Sequence, residues 1–396
     1  MQFTFFNINL QSGGAERQIS NMMKWLSKQN HSVQLITFYP ENNPAYELPD
    51  NVEMISLMQS ADKTNLFVKF FKIFILAFRL KSIVNKHGYK SILSFNHRPN
   101  YINVLSQLFL VSKHKVILFE QIFPSRQYSR LSIKGFINWY LTYFLYNKAL
   151  HIIPNSKDIG IDLIQNFNVS PQKITAIYNP VDIDSIANSA SIQYNQHHYF
   201  LKQHKEKFKF IAIGRLSFQK NYELMIHSFK QSGLMENAIL IIIGIGEDEQ
   251  KIKSLITALG LYHNVFLLGH TYNPFYILSN ADCYLLSSRF EGFPNSLLEA
   301  ISLGVPSIAV DCKSGPREIY EFPLQKELTE EFVITASGIL VQNFNQNAFS
   351  HAMQLLYTDT KLRHTISENS RKRILNFSID KSMLEHTDLL EKIVND

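Results

Sequence analysis

Cysteine is nearly absent from this 396-residue chain. There are two, Cys283 and Cys312, and neither stands in a CxxC or Cys/His grouping. That argues against a disulfide framework and a structural zinc module, and it suits a reducing compartment. No apolar run reaches the roughly 20 residues that cross a bilayer as helix. The opening residues MQFTFFNINLQSGGAER carry neither a basic n-region nor a small-residue cleavage site, so no secretory signal is expected. Internal repeats and low-complexity tracts are lacking. Acidic residues are scarce in one half: between Lys63 and Lys157 fifteen Lys and Arg accompany a single acid, Glu120, while the rest of the chain is net acidic and the total is only +6. A one-sided basic half implies an anionic partner. With 45% hydrophobic residues at this length, two domains with separate cores are expected.

What is present centres on EGFPNSLLEAISLGVP at 291–306. Glu291 and Glu299 are separated by seven residues. Between them a Gly-Phe-Pro turn leads to Asn295-Ser296, a good helix start before an apolar run, and Gly304 and Pro306 close the helix. The strand Leu285-Leu286 precedes it. Strand, turn and helix in that order set backbone N–H groups and a positive dipole end at the strand's carboxyl end, where a diphosphate can bind. Glu299, in the first turns, can accept hydrogen bonds from a ribose diol, and Glu291 sits on the turn. A buried turn with a solvated Glu at each end fits the same spacing.

Other strand–loop–helix units surround this one. Residues 2–10 form a strand before Gly13-Gly14-Ala15-Glu16-Arg17 and a helix with Met22, Met23, Trp25 and Leu26. Strands are also expected at Val33–Phe38, Val52–Leu57, Ser91–Phe95, Lys115–Phe119 and Leu150–Pro154, with Asn96–Asn100 a loop. Phe208–Ile213 leads into Gly214-Arg215-Leu216-Ser217-Phe218-Gln219-Lys220-Asn221, where Arg215 and Lys220 can converge on one anion. Gly244-Ile245-Gly246 follows a strand, yet it lacks the third glycine of a dinucleotide fingerprint, and three acids at the helix start would repel a pyrophosphate. Asp182-x-Asp184 matches a pattern by which some enzymes hold a divalent metal, but it follows Pro180 at the edge of a linker and is taken as accidental.

The Glu–seven residues–Glu stretch, GRLSFQKN, GGAER and SGPREI together resemble family 4 of the retaining GT-B glycosyltransferases, in the family's order and over nearly the whole chain. The resemblance to SGPREI is to members working on surface polysaccharides and lipid-linked oligosaccharides. It implies an α/β fold with two Rossmann-like domains facing across a cleft. The first would span 1–183, with helix 379–396 crossing back to it, then a linker at 184–207 and a nucleotide-sugar domain at 208–378. It implies that Arg215 and Lys220 clamp the donor diphosphate with the amides of Asn295, Ser296 and Leu297. Glu291 would bind sugar hydroxyls and Glu299 the ribose. Gly13 and Gly14 would lie under the donor phosphate or the acceptor, and His97 near the donor sugar. Many relatives carry a histidine near Glu120, and whether Glu120 substitutes for it stays open. No metal or other cofactor is required, and a UDP-sugar is the expected donor.

The anionic partner expected of the basic half is a membrane surface on the cytoplasmic side, with a lipid-linked or glycan acceptor. Helix 65–86 carries Lys69, Lys72, Arg79 and Lys81 among aromatics and can lie in the membrane plane, and 126–148, with Arg126 and Arg130, is a second basic aromatic segment. No nucleic-acid reader motif is present. A GT-B sugar-nucleotide epimerase or hydrolase, and a non-catalytic subunit of a polysaccharide assembly complex, are the competing readings.

Overall fold

Runs such as SILSF at 91–95 and AILIII at 238–243 show no polar–apolar alternation, which marks strands covered on both faces. In the computed structural model, which describes residues 1–11, 13–40, 47–59, 66–108, 114–128 and 130–395 (side chains at 66–71, 196 and 395 excepted), they are inner strands of two parallel sheets. The first sheet contains β1 (Gln2–Asn7), β2 (Ser32–Thr37), β3 (Glu53–Ser56), β4 (Ser91–Phe95), β5 (Lys115–Glu120) and β6 (His151–Pro154), ordered β3-β2-β1-β4-β5-β6. The second contains β7 (Phe208–Ile213), β8 (Ala238–Ile243), β9 (Val265–Leu267), β10 (Cys283–Leu286), β11 (Ser307–Val310), β12 (Phe332–Ile334) and β13 (Ile339–Val341), ordered β12-β13-β11-β10-β7-β8-β9. Among the described strands, only the edge strand β12 is antiparallel. Apart from β12, the two sheets share one Rossmann-like order. Each reverses its direction of growth once, between β1 and β4 and between β7 and β10. Crevices outside the carboxyl ends of strands at such a reversal are where open α/β sheets bind ligands.

The chain divides into two units, Met1–Pro180 with Ile379–Asp396, and Val181–Ser378. In the first, Phe5, Leu35, Phe95 and Ile117 are buried with Met383 and Leu390 of the last helix, Ile379–Asn395. That helix is fastened by polar contacts too. Trp25 Nε1 donates to Asp380 Oδ1 at 2.8 Å, Ser382 Oγ donates to Tyr178 O at 2.7 Å, and Lys115 Nζ reaches the carbonyls of Ile393 and Val394 at 3.1 and 2.9 Å. A cation on the last carbonyls of a helix complements its dipole. The second unit has its own core around Phe210, Ile226, Leu240, Ile308 and Phe349.

Two expectations are corrected. Residues 184–207 are not a linker. They contain the helices Ile183–Ser191 and Asn195–Gln203, which bury Ile186 and Leu201 in the second unit, and Asn273 Nδ2 holds Ser189 O at 2.7 Å. The dividing point is Pro180–Val181. Asp182 caps the first of these helices, its Oδ1 accepting from the Ser185 amide at 3.0 Å, so the Asp-x-Asp match marks a helix start. Asn96–Asn100 is not a loop: Asn96, at φ +69°, turns the chain directly into the helix His97–Leu108.

The helix Leu66–His87 packs one face on the first unit. Ile73, Leu76, Ala77, Leu80 and Val84 enter the first unit's core, and Arg79 Nη1 donates to Leu57 O at 2.8 Å. Among its described side chains, only Ile75 and Phe78 are large, apolar and exposed.

Candidate active site

In the second unit, β7 and β10 are neighbours at the reversal, and the loops leaving them meet. The β7 loop carries Arg215 and Lys220, and the β10 loop carries Glu291. Lys220 Nζ lies 2.7 Å from Glu291 Oε1 with both side chains largely buried. Ser288 Oγ donates to the same oxygen at 2.5 Å, and Gln219 Nε2 donates to Phe290 O at 2.9 Å while reaching Glu291 Oε2 at 3.5 Å. Further hydrogen bonds lock the two loops. Ser287 Oγ donates to the carbonyls of Lys220 and Asn221, Arg289 N donates to Gln219 O at 2.8 Å, and the Arg289 guanidinium holds Phe218 O and Asn221 Oδ1 while lying over the Phe218 ring. The sequence assigns no role to Ser288, Gln219 or Arg289 on spacing or motif. Ser288, three residues before Glu291 in the same turn, was the detectable signal.

Glycine makes this geometry possible. A Cβ on Gly214 would lie 3.1 Å from Lys220 Cε and 3.3 Å from the Tyr222 hydroxyl, which donates to Gly214 O. Gly244, at φ +150°, would put a Cβ 1.9 Å from Gly214 O, and Gly246 one 2.2 Å from Leu216 O. The Gly-x-Gly turn is thus pressed against the backbone of the Arg215 loop, tied by Leu216 N to Ile245 O and Asp248 N to Leu216 O, each at 3.0 Å. Its glycines serve close backbone approach, not a pyrophosphate.

The helix Asn295–Ser302 begins after Pro294, and no side chain caps it. One expected donor at its start is taken. The Leu297 amide is engaged with Pro294 O at 3.1 Å, so Leu297 is not a free donor in the diphosphate clamp. Ser296 Oγ accepts from the Tyr284 hydroxyl at 2.7 Å. Glu299 is buried on the same helix. The 313–316 loop lies along the 292–294 turn: Lys313 O accepts from Glu291 N at 2.6 Å, and Ser314 Oγ donates to Gly292 O at 2.8 Å. Arg317 is spent on Asp311, with two contacts of 2.6 Å. Arg215 is exposed and forms no ion pair among the described residues.

Chemically, the cluster offers cations around a turn that presents amides. Lys220 gives Glu291 one of its three donors and keeps two. Glu291 Oε2 holds only the long contact to Gln219 and can accept from a hydroxyl. No group of three or more metal-ligating side chains occurs among the described residues.

In the first unit, β1 and β4 are neighbours at the other reversal, and the helices that follow them open at Gly14 and His97. Gly13 is the extended N-cap of the helix Gly14–Lys28. A Cβ there would lie 2.1 Å from Glu16 Oε2, so a carboxylate already occupies the helix N-terminus that a phosphate would need. His97 opens its helix, and its ring packs edge-on against Tyr101 and Tyr128. Burial, reinforced by Arg98 and Lys134, lowers its pKa to about 4. A neutral imidazole can hydrogen-bond a hydroxyl but holds no charge near neutrality. Glu120 is fully buried and burial raises its pKa to about 7, against hydrogen bonds from the Tyr146 hydroxyl and the amides of Gln121 and Ile122. Asn100 Nδ2 joins the network at Tyr146 and at Phe119 O.

Of the basic residues, Lys72 and Lys81 are half-buried, Arg79 is exposed but bonded to Leu57 O, and the Lys69 side chain lies outside the described residues. Arg126 and Arg130 are exposed, Arg130 over the Trp139 ring at 3.9 Å.

Two Rossmann-like units, the second with an Arg/Lys/Glu cluster at its strand reversal, define a doubly wound α/β protein. The family model for glycosyl transferases group 1 matches residues 195–373, and that for glycosyltransferase family 4 matches 12–185. The chain is 31% identical, over 94% of both chains, to an N-acetylgalactosamine-N,N'-diacetylbacillosaminyl-diphospho-undecaprenol 4-alpha-N-acetylgalactosaminyltransferase of Campylobacter jejuni. It is 28% identical to a UDP-Gal:alpha-D-GlcNAc-diphosphoundecaprenol alpha-1,3-galactosyltransferase of Escherichia coli, over 59% of this chain and 58% of that one. Its fold matches sucrose-phosphate synthase from Thermosynechococcus elongatus with a TM-score of 0.81 at 17% identity, covering 99% of each chain. The chain belongs to the family 4 glycosyltransferases, of GT-B fold, and is a glycosyltransferase.

Proposed function

We propose that the protein transfers a sugar from a UDP-sugar, with retention of configuration, to a lipid-linked oligosaccharide in surface-glycan synthesis. The carrying observation is the Lys220–Glu291–Ser288 cluster beside exposed Arg215, at the strand reversal and close in sequence to the uncapped helix start at Asn295. Arg215, the two remaining donors of Lys220 and the Asn295 and Ser296 amides stabilise the departing diphosphate as charge develops on it. Glu291 Oε2 accepts from sugar hydroxyls and Glu299 from the ribose. The transition state is oxocarbenium-like. Glu291 is held in an ion pair and is no covalent nucleophile, so attack comes from the face the diphosphate leaves. Protein cations neutralise the leaving group and no metal is needed. The acceptor class is supported by the diphospho-undecaprenol acceptors named for the Campylobacter and E. coli relatives, and the uridine nucleotide by the E. coli one. Such an acceptor lies in a membrane, and the acid-poor half with exposed Arg126 and Arg130 supports contact with an anionic cytoplasmic leaflet.

The test is a thermal-shift panel of nucleoside-diphosphate sugars, with and without EDTA, on wild type and Arg215→Ala. A ligand at a hundred times its dissociation constant stabilises by about 2.7 kcal/mol. A UDP-sugar shift that survives EDTA and is lost in the variant is expected. No shift with any nucleotide refutes the donor assignment. Anomeric proton couplings of donor and product then decide retention.

A further inference from the structure

The basic half contains two aromatic helices, and their packing differs. In Ile133–Leu145, Gly135, Trp139, Thr142 and Leu145 face inward. Trp139 contacts Phe167 at 4.4 Å between ring centroids, and Thr142 bonds the Tyr101 hydroxyl at 2.9 Å. The next face is apolar and bare: Ile133 is 77% exposed, Phe136 48%, Tyr140 45% and Phe144 62%, with Tyr143 beside them. At 100° per residue, these positions occupy an arc of about 100° adjoining the buried one. The rings touch in series, Phe136 to Tyr140 at 4.6 Å, Tyr140 to Phe144 at 6.1 Å and Tyr143 to Phe144 at 5.3 Å. They form one strip, whereas scattered apolar side chains would need no explanation. Leu131, 99% exposed, extends the strip at the helix start. Exposed Arg126, Arg130, Lys134 and Lys148 flank it, and no Asp or Glu occurs from Gln121 to Lys157.

We propose that the helix Ile133–Leu145 is the element that enters the membrane. Lying in the plane of an anionic bilayer, it seats Ile133, Phe136, Tyr140 and Phe144 at the headgroup–acyl boundary while Arg126, Arg130, Lys134 and Lys148 meet the phosphates. This deepens the membrane contact proposed above and rests on it. The charge selects the occupant: a second copy of the chain would bring like cations against like, whereas an anionic surface complements them. Helix Leu66–His87, the stronger candidate by composition, turns Ile73, Leu76, Leu80 and Val84 into the core and, among its described side chains, leaves only Ile75 and Phe78 large, apolar and exposed. Aromatic rings with a polar tip suit the interface, and a helix of 13 residues, about 20 Å long, suits lying in it and cannot span it.

The experiment is flotation with phosphatidylcholine vesicles containing phosphatidylglycerol, on wild type, on Phe136→Ser/Tyr140→Ser/Phe144→Ser, and on Ile75→Ser/Phe78→Ser. The first triple variant should partition about tenfold more weakly or worse, with a melting temperature near wild type because the replaced rings are solvent-facing. The Ile75/Phe78 variant should partition as wild type does. Wild type that fails to float refutes the membrane reading itself. Wild type that floats while the triple variant floats equally well refutes this helix alone. Insertion is read independently: both native cysteines are buried, so an environment-sensitive dye on Phe144→Cys labels one site. Its emission should shift to the blue on adding vesicles, and dye on Ile75→Cys should not shift. A concentration-dependent dimer in light scattering, abolished by the triple variant in the absence of lipid, assigns the strip to a second copy and overturns the proposal.

Discussion

Replacing Lys220 by Met isolates the energetic core of the site. In wild type, Lys220 Nζ sits 2.7 Å from a carboxylate that is 6% exposed, and Ser288 is the other short donor to the same oxygen. The Met variant leaves Glu291 charged, buried and short of its cation. Breaking a buried pair from one side costs about 3–5 kcal/mol. Because Lys220 keeps some solvent access and Ser288 remains, about 2 kcal/mol is the working figure. For a unit of this size, that lowers the melting temperature by about 4–8 °C. Removing both partners, as in Lys220→Met/Glu291→Gln, leaves no unpaired charge and should recover most of the loss. Turnover should fall by about a hundredfold or more in the single and in the double variant, since both remove a donor to the leaving group. Calorimetry is the assay, because both tryptophans, Trp25 and Trp139, lie in the first unit and are blind to this one. A single variant that melts with wild type refutes the buried-pair energetics. A double variant that melts no higher than the single refutes the coupling, and a single variant with undiminished turnover refutes the catalytic assignment.

The same tryptophans make the first unit selectively visible. Burial holds His97, His114 and His386 each near pKa 4 against 6.5 unfolded. The stability they support is complete above pH 6.5 and is lost as pH falls through about 4, so the denaturant midpoint read by tryptophan fluorescence should drop steeply over that window. An unchanged midpoint between pH 7 and 4.5 contradicts it. Glu120 acts in the opposite sense: raised from 4.5 to about 7, its contribution is present below pH 4.5 and lost as pH rises through 7. Glu120→Gln should therefore gain on wild type at pH 8 relative to pH 5, and an equal difference at both values excludes titration of this group. Gly244→Ala, whose Cβ would meet Gly214 O at 1.9 Å, should cost about 3 kcal/mol or more, whereas Gly260→Ala, at φ +70° with open space around it, should cost about 1. Equal melting temperatures for the two would remove the close-approach argument.

Much of the fold is legible because parallel strands buried on both faces are written as local apolar runs. SILSF at 91–95 and Phe208–Ile213 are strands with the expected bounds, and AILIII is the strand before Gly244. Ser156, Asp182 and Gly304 mark helix ends through local backbone chemistry, as the caps at Ile159 and Ser185 and the positive φ of Gly304 show. Composition misled where a decision depended on partners. Residues 184–207 are polar enough for a linker, yet Ile186 and Leu201 suffice to bury two short helices. Helix Leu66–His87 and helix Ile133–Leu145 are both basic and aromatic. Which one turns its apolar face to solvent depends on which has a sheet to cover.

The candidate site divides in the same way. Glu291 and Glu299 with the helix between them, and Arg215 with Lys220 on one loop, are separations of a few residues, so spacing and turn chemistry determined them. That Lys220 meets Glu291, 71 residues later, was decided by the tertiary structure. The chain runs β7, β8, β9, β10, but the sheet places β10 against the free side of β7, and only then do the two loops share a crevice. Side-chain orientation was settled at that level too. Glu16 lies back over Gly13, the Leu297 amide closes on Pro294, and Arg317 is committed to Asp311. Sequence sets what each residue can offer, through its charge, its donors and its backbone preference. Packing sets what remains unsatisfied after the fold has formed, and it is those remaining groups that can bind a substrate.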